Sequence, residues 1–63
     1  MCLATVYVEQ NGQQERVMED VAWIKLDSGG TRLVTFLGES KQFGYKIKSV
    51  DLINGSIILE ADE

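Results

Sequence analysis

The chain has 63 residues, a formal charge of −4, a single cysteine and no histidine. That length makes one domain, which buries only about 60 % of the surface its unfolded chain exposes, while one cysteine excludes an internal disulfide and the absence of histidine excludes zinc-finger spacing. A core this small rarely supplies more than about 3–5 kcal/mol without a staple, so an economical barrel that self-associates as a homodimer is expected.

Hydropathy alternates with a period of two from the start. In LATVYVE, Ala4, Val6 and Val8 face one way and Leu3, Thr5 and Tyr7 the other, the pattern of a half-buried strand. Asn11-Gly12 follows, the strongest short hairpin signal, because both central residues of a type I′ turn need positive φ. QERVM returns as a second strand, and EDVAWIKLD reads as a further one, with Ala22, Ile24 and Leu26 on one face and Val21, Trp23 and Lys25 on the other. RVMEDVAWIKL also fits a helical period in part, but Val, Trp and Ile favour strands and the flanks carry turn signals in place of helix caps. DSGGT is a second turn. RLVTFLG is nearly continuous in apolar residues, as a strand covered on both faces would be. GESKQFG is a polar connection or a distorted strand, YKIKSVDLI and SIILEA form a last hairpin across Asn54-Gly55, and a short acidic tail closes the chain. Five to seven short strands joined by tight turns imply an all-β fold, a small antiparallel β-barrel, over residues 1–63.

The chemistry available is narrow. The chain has no histidine, and no serine or cysteine has a base placed by sequence beside it to activate a nucleophile. Glu19 and Asp20 are neighbours on a strand and point to opposite faces, so they read as a solvated turn. DSGGT lacks the spacing and the following helix of a phosphate-binding loop. An enzyme is not expected. The opening residues lack the basic and apolar regions of a signal peptide, no apolar run reaches the length of a membrane span, and a single free thiol suits a reducing compartment. A cytoplasmic protein without membrane contact is expected.

Two stretches remain. KQFGYKIK interleaves Phe43 and Tyr45 with Lys41, Lys46 and Lys48. A small barrel can stack single-stranded RNA bases on such aromatics beside cations. The reading preferred is that Phe43 and Tyr45 are core or interface aromatics and the lysines protect a strand edge, and Trp23 reads in the same way as core or interface. Cys2 is either a small buried hydrophobe or a metal ligand. With Met1 retained, its amine, the following amide nitrogen and the Cys2 thiolate would form two fused five-membered chelate rings around one ion. With Met1 removed, the amine and thiolate of Cys2 form a two-donor chelate that a second chain would complete as an N₂S₂ square. Both donor sets favour planar coordination of Ni(II) or Cu(II).

MCLATV at the start and VDLINGSIILE at the end resemble the CooT-type nickel-binding proteins associated with carbon monoxide dehydrogenase maturation. The matching positions are Met1, Cys2, Leu3, Ala4 and Val6, then Val50, Asp51, Leu52, Gly55 and Ile57. The resemblance implies a homodimer of small β-barrels that binds Ni(II) through the Met1-Cys2 region at the dimer interface. It further implies an accessory, metallochaperone-like role toward carbon monoxide dehydrogenase or its maturation proteins. The alternative is an RNA-binding barrel that uses the Lys41–Lys48 stretch.

Overall fold

The structure, a computed structural model, describes residues 3–61. Six strands follow one another: β1 (Ala4–Gln10), β2 (Gln13–Asp27), β3 (Gly30–Thr35), β4 (Ser40–Phe43), β5 (Lys46–Asp51) and β6 (Ser56–Glu60). They form one sheet of order β4-β3-β2-β1-β6-β5, curled into a half-barrel around Val6, Val8, Val21, Leu33, Ile57 and Leu59.

The alternation read in β1 holds, with Val6 fully buried and Val8 7 % exposed. At Asn11-Gly12 both residues have positive φ (57° and 78°), and a two-residue turn joins the pair Gln10↔Gln13, as a type I′ hairpin requires.

The two strands expected over QERVM and EDVAWIKLD are one, the 15-residue β2. Its first half pairs with β1 and its second half with β3. Asp20, at φ 58°, lies where β2 changes partner, and strands that turn corners do so through such irregular positions. A further register shift between Val21 and Trp23 leaves Ala22 unpaired. That extra residue changes the parity assigned to this strand, since Val21 is buried and Ile24 also packs on the core. Trp23 and Leu26 are left 53 % and 68 % exposed.

Two further expectations are corrected. RLVTFLG is not covered on both faces. Thr31, Leu33 and Thr35 are buried in alternation, and β3 ends at Thr35, whose hydroxyl accepts the Glu39 amide (3.0 Å) while its carbonyl accepts the Gly38 amide (3.0 Å). That tight turn turns Phe36 and Leu37 outward. The barrel is also not wholly antiparallel, because β1 and β6 run parallel from Thr5↔Ser56 to Glu9↔Glu60. Parallel neighbours need a long crossover, and here β2 to β5 provide it. The sheet keeps two edges, β4 and β5. Gly44 and Tyr45 carry the chain between them, and the Thr31 hydroxyl donates to the Tyr45 carbonyl at 2.9 Å.

Asn54-Gly55 belongs to a wider connection than a two-residue turn. Only Gly55 of the pair has positive φ (67°), and the loop runs from Leu52 to Gly55 between β5 and β6.

Candidate functional site

Met1 and Cys2, the expected metal ligands, lie outside the described residues. The structure does define the end of the molecule from which they extend. Leu3 borders a groove of about 300 Å³ together with Glu19, Asp20, Thr35, Phe36, Leu37 and Glu39. Two backbone bonds organise this end. The Phe36 amide donates to the Asp20 carbonyl at 2.9 Å, tying the corner of β2 to the β3–β4 turn, and the Thr5 amide donates to the Gly55 carbonyl at 2.8 Å, tying the start of β1 to the β5–β6 loop.

That loop is held by Asp51. Its Oδ1 accepts the amides of Ile53 (3.0 Å) and Asn54 (3.1 Å), and its Oδ2 accepts the Asn54 side-chain amide (2.8 Å). These bonds, led by the Asn54 backbone amide, hold the Asp51 carboxyl below its ordinary value. The loop presents Leu52 and Ile53 to solvent at 83 % and 95 % exposure, and the β3–β4 turn presents Phe36 and Leu37 at 52 % and 87 %. Four large apolar side chains are thus exposed on the two turns that adjoin the N-terminal segment. Their exposure was not legible in the sequence, where TFLG and DLI read as strand and only Asn54-Gly55 as the tight turn. Gly38, at φ 98°, is the one local sign that the strand stops before Phe36.

Among the described residues no group of three or more His, Cys, Asp or Glu side chains is placed to hold a metal ion. Glu19 binds Arg16 at 2.8 Å on the exposed face, while Asp20 takes part in the strand corner through its backbone.

The basic stretch is dispersed by the fold. Lys41 lies on β4, across from Leu33, whereas Lys46 and Lys48 lie on β5. Lys46 stands opposite Glu60. Lys48 forms an ion pair with Glu9, and this hydrogen bond chiefly raises the Lys48 pKa and lowers that of Glu9. Phe43 and Tyr45 pack against the core and stack on each other with ring centroids 5.8 Å apart. With Lys48 paired to a carboxylate, Lys41 on the other edge strand and the aromatics packed on the core, the RNA-binding alternative has no geometric support. No helix among the described residues is long and apolar enough to cross a membrane.

The sequence profile of the family described as CO dehydrogenase accessory protein CooT matches residues 1–60. The chain belongs to the CooT family. Its fold agrees with that of a crystal structure assigned as CooT from Carboxydothermus hydrogenoformans, at a TM-score of 0.90 and 26 % identity over 98 % of this chain and 100 % of the other. No curated protein sequence matches the chain significantly. CooT proteins are accessory proteins of CO dehydrogenase.

Proposed function

We propose that this CooT-family accessory protein binds Ni(II) as cargo through Met1 and Cys2, at the interface of a homodimer, and supports maturation of CO dehydrogenase in the cytoplasm. The observation that carries the reading is the setting of Leu3, the residue next to Cys2. It lies at the end of the molecule where Phe36 and Leu37 are exposed, and its carbonyl abuts Gly55 of the loop that exposes Leu52 and Ile53. Apolar side chains gathered on one end of a small domain mark an interaction surface. A second copy seated there would cover them and bring two N-termini together.

The donor chemistry suits nickel. An amine, an amide nitrogen and a thiolate on successive residues favour a planar ion with nitrogen and sulfur ligands. The same termini brought together by a dimer would complete an N₂S₂ square if Met1 is removed. A site built on the chain end needs no ligand from the barrel.

Titration of Ni(II) into the wild type and into Cys2→Ser, followed by thiolate-to-nickel charge-transfer absorption, tests the reading. The wild type is expected to bind with a sulfur-based band that Cys2→Ser lacks. Equal tight binding by both overturns it. Native mass spectrometry of the loaded protein reads the dimer mass, the state of Met1 and the number of metals together.

A further inference from the structure

β1 and β6 leave one end of the molecule side by side, and their regular register begins only at Thr5↔Ser56. What directs the chain ahead of that point is the β5–β6 loop. The Thr5 amide is bonded to the Gly55 carbonyl. The Leu3 carbonyl oxygen stands 3.2 Å from the place a Cβ on Gly55 would take, so residues 3 to 5 are seated closely against this glycine. The other flank gives weaker guidance, because the β1–β2 register slips between Ala4 and Val6.

Gly55 is positioned in turn by Asp51. The loop between them has little packing of its own, since Leu52, Ile53 and Asn54 are all exposed. Within one protomer its shape therefore depends chiefly on the three hydrogen bonds that converge on one carboxylate. An exposed loop without such bonds samples many conformations.

We infer that Asp51 is a positioning residue for the terminal nickel site: it sets the Leu52–Gly55 loop, Gly55 sets the course of residues 3 to 5, and that course sets where the Met1 and Cys2 donors lie. The inference rests on the nickel reading above. Asp51 touches no metal in this scheme. It acts through two short links, as groups that orient metal ligands do, and loss of such groups costs roughly ten- to a hundredfold in metal affinity.

Asp51→Ala and Asp51→Asn test it in the full-length protein beside the wild type and Cys2→Ser. Asparagine keeps an oxygen that can accept the Ile53 and Asn54 amides, so it should rescue. Two readouts are taken: Ni(II) affinity from the charge-transfer band, and hydrogen exchange of the Thr5 amide without metal. Asp51→Ala is expected to weaken nickel about tenfold or more and to accelerate Thr5 exchange about tenfold while exchange at Leu33 is unchanged, with Asp51→Asn near the wild type in both. Unchanged affinity and unchanged Thr5 exchange in Asp51→Ala, with Cys2→Ser still impaired, overturn the positioning role and leave the nickel reading standing. Accelerated Thr5 exchange with undiminished nickel affinity overturns it as well. Cys2→Ser binding like the wild type overturns the nickel reading itself. If Asp51→Ala fails to fold, Gly55→Ala is used instead, since its methyl would press on the Leu3 carbonyl, and wild-type nickel affinity in that variant overturns the role.

Discussion

The ammonium group of Lys48 on β5 reaches across β6 to the carboxylate of Glu9 on β1, and Gln14 donates to the same carboxylate from β2. The ion pair thus bridges the outer strand to the strand that carries the N-terminus. Its pH dependence has two arms. Glu9 has a lowered folded-state pKa, first through its hydrogen bond to Lys48, so its contribution is present above the unfolded carboxylate value and is lost as pH falls through the folded one. Lys48 has a raised pKa, first through the bond to Glu9, so its contribution is present below the unfolded ammonium value and is lost as pH rises through the folded one. Thermal melting of Glu9→Gln from about pH 3 to about pH 11 should show a lower plateau and shallower fall at both ends than the wild type. Salt should reduce the difference, because both groups reach solvent.

Leu33 is fully buried and Leu37 is 87 % exposed, although both belong to the same apolar run. Leu33→Ala should lose about 2–5 kcal/mol, comparable with the whole stability of a core this size. Circular dichroism should find it largely unfolded at 25 °C. In Leu37→Ala, urea unfolding should give a monomer within about 0.5 kcal/mol of the wild type.

Gly30 and Gly12 both have positive φ, at 121° and 78°. A Cβ at Gly30 would stand 2.1 Å from the Phe43 carbonyl oxygen, whereas at Gly12 it meets nothing within 4 Å. Gly12→Ala should cost about 1 kcal/mol, the backbone penalty alone. Gly30→Ala adds a collision between β3 and the end of β4 and should exceed it clearly, by about 2–3 kcal/mol in total. Paired urea melts make the comparison.

Ile53 is 95 % exposed and Leu37 87 %. If this end is the dimer interface, Leu37→Asp with Ile53→Asp should shift sedimentation equilibrium toward monomer while leaving the far-ultraviolet spectrum unchanged. A dimer of undiminished affinity would place the interface elsewhere.

Nickel affinity should fall as pH is lowered from about 8 to about 6, because a thiol of ordinary pKa near 8.5 must lose its proton to bind. Competition with a chelator of known pH dependence measures this. An affinity independent of pH would argue against a thiolate ligand.

The parts of the fold that were legible are those written in neighbouring residues. Val6 and Val8 alternate with polar or surface positions, and Asn11-Gly12 forms the turn its two left-handed residues require. Val21 and Ile24 were read on opposite faces, yet both meet the core, because one unpaired residue, Ala22, changes parity, and a bulge has no fixed composition. The parallel pairing of β1 with β6 has no local signal, since it joins residues far apart in the chain. For the site, Cys2 and Met1 were singled out by the lone thiol, the absence of histidine and the family resemblance, and both lie outside the described residues. The apolar end beside them was not legible, because Phe36, Leu37, Leu52 and Ile53 look like strand residues until the turns that expose them are known.

The parallel β1–β6 pair has a consequence for synthesis. The β1–β2 hairpin can close as soon as its own residues are made, yet the strand that seats Thr5 is the last to appear, and pairings so distant in sequence form slowly. Leu3 therefore reaches its final place only after the carboxyl-terminal hairpin has docked. An unfinished chain lacks the bond from the Thr5 amide to the Gly55 carbonyl, so the seating of residues 3 to 5 is acquired at the end of folding and marks that the whole domain has been completed.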